Sequence, residues 1–149
     1  MRANYIEDLQ TWESEFSFHT EIPVRFSDTD MFGHLNNTKV FVYFEDARIQ
    51  YLQTLTQVMD EMKRDPEVIP VVADLQCDFV KQIFFDEKLK IFVKANSLGT
   101  TSVDLHYMGK NTKNEIVFTG RGTVVQINKG TGRPVAWSEE EKKVFLQYA

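Results

Sequence analysis

An α+β domain is the fold class this sequence predicts. Three patterns carry that expectation. Apolar residues alternate with polar ones over 16–26, recur every three or four residues over 37–55, and four strand candidates follow Pro70, with alternation plain over 88–98. One strand, one long helix, four successive strands and a closing helix make two layers, the long helix covering one sheet face. The 149 residues suffice for a single domain, 1–149, with a core of its own.

At the N-terminus Ile6, Leu9 and Trp12 stand at roughly helical spacing, the mark of a short docking turn or a frayed arm. Phe16, Phe18, Ile22, Val24 and Phe26 form a half-buried first strand. Pro23 marks a sheet edge or an irregularity there, because proline donates nothing to a ladder. Val40, Phe44, Ala47, Tyr51 and Leu55 define the long helix. Phe41, Val42 and Ile49 make it apolar over most of its circumference, as expected of a helix enclosed by other elements. Residues 56–65 either continue it or form a second helix ending before Pro66.

Strands follow over 71–80, 88–98, 101–109 and 115–127. In the second of these Leu89, Ile91 and Val93 face a core, while Lys88, Lys90 and Lys94 form a wet face. Gly99-Thr100 and residues 109–114 supply turns, so the four strands read as an antiparallel meander. Ser138 and Glu141 form a capping box that opens a helix over 139–148. One sheet and one helix leave an edge and a face uncovered, so self-association is expected.

Composition narrows the partners. Seventeen basic residues against 22 acidic give a net charge of −5, which argues against broad nucleic-acid binding. Cys77 is the sole cysteine, so no internal disulfide forms and a reducing compartment fits. No apolar run reaches the roughly 18 residues that span a membrane. Glu7, Asp8, Glu13 and Glu15 suit neither a signal nor a transit peptide, so a cytoplasmic location is expected.

Usable chemistry concentrates in residues 24–48. Asp28 and Asp30 stand two apart, on one side of an extended strand. Carboxylates there either cap the following turn or act on a ligand. Asp30 has the stronger functional reading, because Gly33 lets a backbone approach a ligand closely; Asp28 reads as support that orients the loop. Asn36 and Asn37 suit a helix N-terminus, whose first amides lack intrahelical acceptors and can polarise a carbonyl. A base beside such donors is what hydrolysis of an activated acyl group needs.

His34 either orients the aspartate or substrate, carries a proton, or bonds within the turn. Glu45 either pairs with Arg48 or meets the site, since burying a glutamate on an apolar helix is costly. A calcium loop beginning at Asp28 needs Asp or Asn at its fifth position and Glu at its twelfth, where Phe32 and Lys39 stand, so that reading fails. A transition-metal site at Asp28, Asp30 and His34 lacks a second histidine nearby in sequence. Cys77 alternates with apolar strand residues and reads as core.

Asp28-Thr-Asp30, Gly33-His34-Leu-Asn36-Asn37 and Tyr43-Phe44-Glu45-x-Ala47-Arg48 together resemble the hotdog-fold acyl-CoA thioesterases of the 4-hydroxybenzoyl-CoA thioesterase type. Gly99-Thr-Thr-Ser102 and Thr131-Gly-Arg-Pro134 are similar to the same group, so the resemblance spans about residues 18–140. It implies a curved antiparallel sheet wrapped round the long helix, and dimers joined edge to edge with sites between subunits. It also implies a catalytic carboxylate at Asp30 and a carbonyl-binding amide near Asn37. Plant-type acyl-carrier-protein thioesterases carry an asparagine where Phe32 stands; His34 matches their histidine, which the benzoyl type lacks.

The expected activity is hydrolysis of an acyl-CoA to free acid and CoA by Asp30, the Asn37 backbone N–H, His34 and Glu45, without cofactor or metal. The alternative is a hotdog module that binds acyl-CoA or an acyl carrier without hydrolysing it. Expected partners are the acyl-CoA and further copies of the chain, as homodimer or homotetramer, with neither nucleic acid nor membrane. Phe32, Phe41, Phe44, Phe79, Phe84 and Phe85 are the candidate apolar walls.

Overall fold

The computed structural model describes residues 3–60 and 65–148. In chain order it contains α1 (Leu9–Ser14), β1 (Phe18–Pro23), a 3-10 turn (Phe26–Asp28), α2 (Lys39–Asp60), β2 (Val68–Phe79), β3 (Lys88–Leu98), β4 (Ser102–Lys110), β5 (Ile116–Asn128) and α3 (Glu139–Tyr148). The long helix runs unbroken through Asp60, so the continuous reading of 56–60 holds; residues 61–64 lie outside the described residues.

α2 lies against one face of a five-stranded antiparallel sheet. Val40, Phe44, Ala47, Tyr51 and Leu55 pack among Leu89, Ile91, Val93, Leu105 and Phe118, all fully or almost fully buried. The Val, Leu, Ile and Phe side chains among them each contribute about 1.5–3 kcal/mol of apolar burial. The Phe44 ring stacks on Tyr107 at 4.3 Å and 8°, and Gly120 leaves room for it. Register shifts in β2 between Val72 and Asp74, and in β3 between Ala95 and Ser97, bend the strands and curl the sheet. This is the helix-in-sheet arrangement the resemblance implies.

One expectation about topology is corrected. The strands run β1-β3-β4-β5-β2 across the sheet, so β3, β4 and β5 form a meander but β2 does not join it. β1 holds the free edge of β3, and β2 pairs instead with β5 at the far side. Residues 80–87 therefore cross the end of the sheet rather than making a tight turn. β1 itself stops at Pro23, at a sheet edge as its proline predicts, and the predicted strand residues up to Phe26 give way to the 3-10 turn.

The outer sheet face is partly covered. α1 docks on it, with Asp8 capping the helix and the Trp12 indole buried. The Trp12 Nε1–H donates to His106 Nδ1 at 2.8 Å, while Glu15 pairs with Lys94 and Glu13 with Lys110. Lys94 is thus buried under the arm, and only Lys88 and Lys90 keep the wet face predicted for all three. Ser138 and Glu141 bond reciprocally, N–H of each to the side chain of the other, as a capping box does.

Within one chain α2 is not fully enclosed, since Val42 and Ile49 stay about half exposed. Among the described residues the outer edge of β2 carries no strand partner in the sheet. Among the described residues no helix is long and apolar enough to cross a membrane.

Candidate active site

Residues 28–36 fold back as a tight hairpin in front of α2. The Asp30 N–H donates to the His34 carbonyl at 2.8 Å, the Asn36 N–H to the Asp28 carbonyl at 2.8 Å, and Thr29 bridges Leu35. Gly33 takes φ +79 at the tip, a conformation that strains any residue with a Cβ. The returning arm then joins the crossing segment: the Leu35 N–H donates to the Ile83 carbonyl at 2.7 Å, and His34 bridges Phe84. A cavity of about 420 Å³ opens between them, lined by Asp30, His34, Leu35 and Asn37 on one side and residues 79–83 on the other.

The two aspartates have opposite surroundings, because the 3-10 turn breaks the strand geometry that would set them side by side. Asp28 is fully buried. Its Oδ2 accepts from the Tyr43 hydroxyl at 2.7 Å and from the Arg25 N–H at 3.2 Å, and the Arg25 side chain adds longer bonds to both oxygens. Burial alone would raise its carboxyl, but the Tyr43 and Arg25 donors outweigh that and hold it below the usual carboxylate range. Asp30 is half-buried on the cavity wall. Its Oδ1 accepts from the Phe32 N–H at 2.9 Å and the His34 N–H at 3.3 Å. Among the described residues nothing bonds its Oδ2.

Asn36 and Asn37 precede the helix, which begins at Lys39. The Asn36 side-chain oxygen accepts from the Thr38 N–H at 3.0 Å and the Thr38 hydroxyl at 2.9 Å, turning the chain into α2. Asn37 lines the cavity, and its backbone N–H has no acceptor among the described residues. An amide left open beside a half-fixed carboxylate is a pairing that suits an acyl carbonyl and its attacking oxygen.

His34 lies in the same wall, its ring edge-on to Phe84 at 5.2 Å, and among the described residues neither ring nitrogen bonds Asp30. Glu45 is not brought to the cavity. The expected burial cost does not arise: its side chain is 64% exposed, and it makes a 4.0 Å ion pair with Arg48. Of the candidate apolar walls, Phe79 lines the cavity and Phe84 backs His34. Phe44 belongs to the core, Phe41 packs on Phe44, Phe85 packs on Phe26, and Phe32 stands 74% exposed at the hairpin tip. Burial pushes the Cys77 thiol up to about 12, which leaves it no thiolate at neutral pH. Lys81 and Gln82 line the cavity without having been singled out, because no local pattern marks a loop that crosses the sheet.

Known proteins resemble this chain in sequence and fold. The profile of the thioesterase-like superfamily matches residues 24–145. The Bacillus subtilis protein YsmA is 43% identical over 138 residues, covering 93% of this chain and 91% of its own. The Haemophilus influenzae acyl-CoA thioesterase YbgC is 26% identical over 136 residues, covering 89% and 96%. The crystal structure of DHNA-CoA thioesterase from Staphylococcus aureus superposes with a TM-score of 0.75 at 25% identity, over 89% of each chain.

Proposed function

The chain belongs to the thioesterase-like superfamily, and from that premise we propose that it hydrolyses an acyl-CoA thioester to a free carboxylic acid and CoA. The observation that carries this reading is the Asp30 carboxylate, with one oxygen fixed by two amides and the other unbonded on a cavity wall shared with the open Asn37 amide. Asp30 takes a proton from water as the water oxygen attacks the thioester carbon, and the Asn37 N–H receives the developing oxyanion. The C–S bond then breaks, and the proton returns from Asp30 to the CoA thiolate. Direct attack by Asp30, through an anhydride that water then opens, uses the same two groups.

One oxyanion donor is typically worth about 3 kcal/mol of barrier, which is why an unbonded amide matters here. His34 lines the same wall, within reach of a bound substrate. The names of the H. influenzae and S. aureus proteins support CoA as the carrier. The open β2 edge and the exposed Val42 and Ile49 support assembly as a homodimer or homotetramer, and the single, partly buried cysteine suits the cytoplasm.

The test is a panel of short, long and aromatic acyl-CoAs with a thiol reagent. Wild-type protein should release CoA from at least one, and Asp30→Asn should abolish release while leaving binding and the melting temperature close to wild type. Turnover at the wild-type rate in Asp30→Asn refutes the assignment. Saturable binding with no thiol release from any substrate favours a non-catalytic acyl-CoA-binding module.

A further inference from the structure

We propose that Tyr43 is a positioning residue of this site, acting through the buried Asp28 carboxylate to hold the Asp30 carboxylate and the Asn37 amide in register. The proposal rests on the hydrolytic reading above.

A carboxylate with no solvent contact must be met by donors, or its desolvation is ruinous. Among the described residues Asp28 has three sources of them. The Arg25 guanidinium is two-thirds exposed and its bonds run 3.3–3.4 Å, so water competes for it. The Arg25 backbone N–H is local to the turn. The Tyr43 hydroxyl, buried and at 2.7 Å, is the one short bond, and it comes from the second turn of α2. Asp28 is thereby fastened to the helix rather than only to its own loop.

From Asp28 the chain reaches both working groups within two residues. Asp30 follows two residues on, and the Asp28 carbonyl accepts the N–H of Asn36, the residue before Asn37. The bases of both hairpin arms are referred to one helix position by one buried side chain. Tyr43 does not line the cavity, so its effect passes through Asp28. Burial and the adjoining Asp28 carboxylate push the Tyr43 hydroxyl up, which keeps it a donor across the working pH range. With that donor gone, Asp28 takes up a proton at higher pH and its grip on Arg25 fails.

The experiment compares wild type, Tyr43→Phe, Asp28→Asn and the double variant, with Asp30→Asn beside them. Tyr43→Phe keeps the buried ring and removes one hydrogen bond to a charged acceptor. It should lower kcat about tenfold and move KM by no more than about twofold, since uniform binding is untouched. Its acid limb should move to higher pH. In the Asp28→Asn background the same change should cost less than about twofold, because the two residues act as one unit.

Wild-type kcat and an unmoved acid limb in Tyr43→Phe overturn the proposal, as do losses that simply multiply in the double variant. Asp30→Asn separates the two ideas: turnover surviving in it, or none in wild type, sinks the hydrolytic reading instead. In that event hydrogen exchange decides on Tyr43. Faster exchange of the Asn36 amide in Tyr43→Phe supports the positioning role, and unchanged exchange overturns it.

Discussion

Substituting Gly120 by alanine tests whether the ring stack under α2 fixes the depth of that helix. A Cβ on Gly120 would lie 2.4 Å from Phe44 Cζ, 2.6 Å from Cε2 and 2.9 Å from the Gln76 carbonyl oxygen. Carbon atoms rest about 3.5–4.0 Å apart, so the Phe44 ring must retreat by about 1 Å. Its exits are occupied. Tyr107 lies stacked on it at 4.3 Å, and Phe118 meets it edge-on at 5.5 Å. Overpacking of this kind costs about 1–3 kcal/mol, from which the stiffer unfolded chain returns about 0.4–1 kcal/mol. At this chain length 1 kcal/mol moves the melting temperature by about 2–4 °C. The middle of those ranges nets about 1.3 kcal/mol, so thermal melts followed by circular dichroism should fall by about 3–5 °C. Gly130→Ala is the control, because only the Asn128 side-chain oxygen stands near its Cβ, at 3.3 Å. If Gly120→Ala melts with wild type, Phe44 has room to move and the stack does not set the helix.

Two further outcomes follow from the buried polar groups. Asp28 and Asp104 are both raised by burial and lowered more by their donors, Tyr43 and Arg25 on the first and His106 and Arg121 on the second. A carboxyl depressed in the folded state stabilises fully above its unfolded value, near 4, and loses that contribution as pH falls through its folded value. Urea midpoints should therefore drop below about pH 4, less steeply in Asp28→Asn, and equal slopes in the two proteins would count against the Asp28 network. Trp12→Phe removes the indole N–H from His106 Nδ1 and leaves a buried acceptor unmet. A loss of about 1–2 kcal/mol and faster proteolysis of the first sixteen residues should appear together; a protease-resistant arm would show that docking does not need this bond.

The long helix and the strand over 88–98 were legible because their periods are clean over many residues, and the turns between them bounded the other strands. Leu89, Ile91 and Val93 face the core as their alternation predicts, and the Ser138–Glu141 box closes as its spacing predicts. Local pattern failed where a partner distant in sequence decides the environment. Lys94 alternates like a solvent residue, yet Glu15, 79 positions earlier, comes to lie over it. Glu45 sits on an apolar stretch, but Val42 and Ile49, three and four residues away on its face of the helix, are half exposed too, so its burial could not be read from composition.

Asp28 and Asp30 show the same limit at the site itself. Alternation predicts one face for both, and a strand running on to Phe26 would have obeyed it. The 3-10 turn rotates Asp28 into the protein, where Tyr43 waits 15 residues downstream, and leaves Asp30 on the cavity wall. The opposite wall was beyond any local reading. Because β2 pairs with β5 and not with β3, residues 80–87 must cross the sheet, and the crossing lays Ile83 and Phe84 against Leu35 and His34. A hairpin between β2 and β3 would have left Asp30 facing solvent, a carboxylate with no pocket. The cavity at Asp30 is thus a consequence of strand order as much as of the Asp-Thr-Asp run, since the crossing segment supplies the wall that faces Asp30 and Asn37.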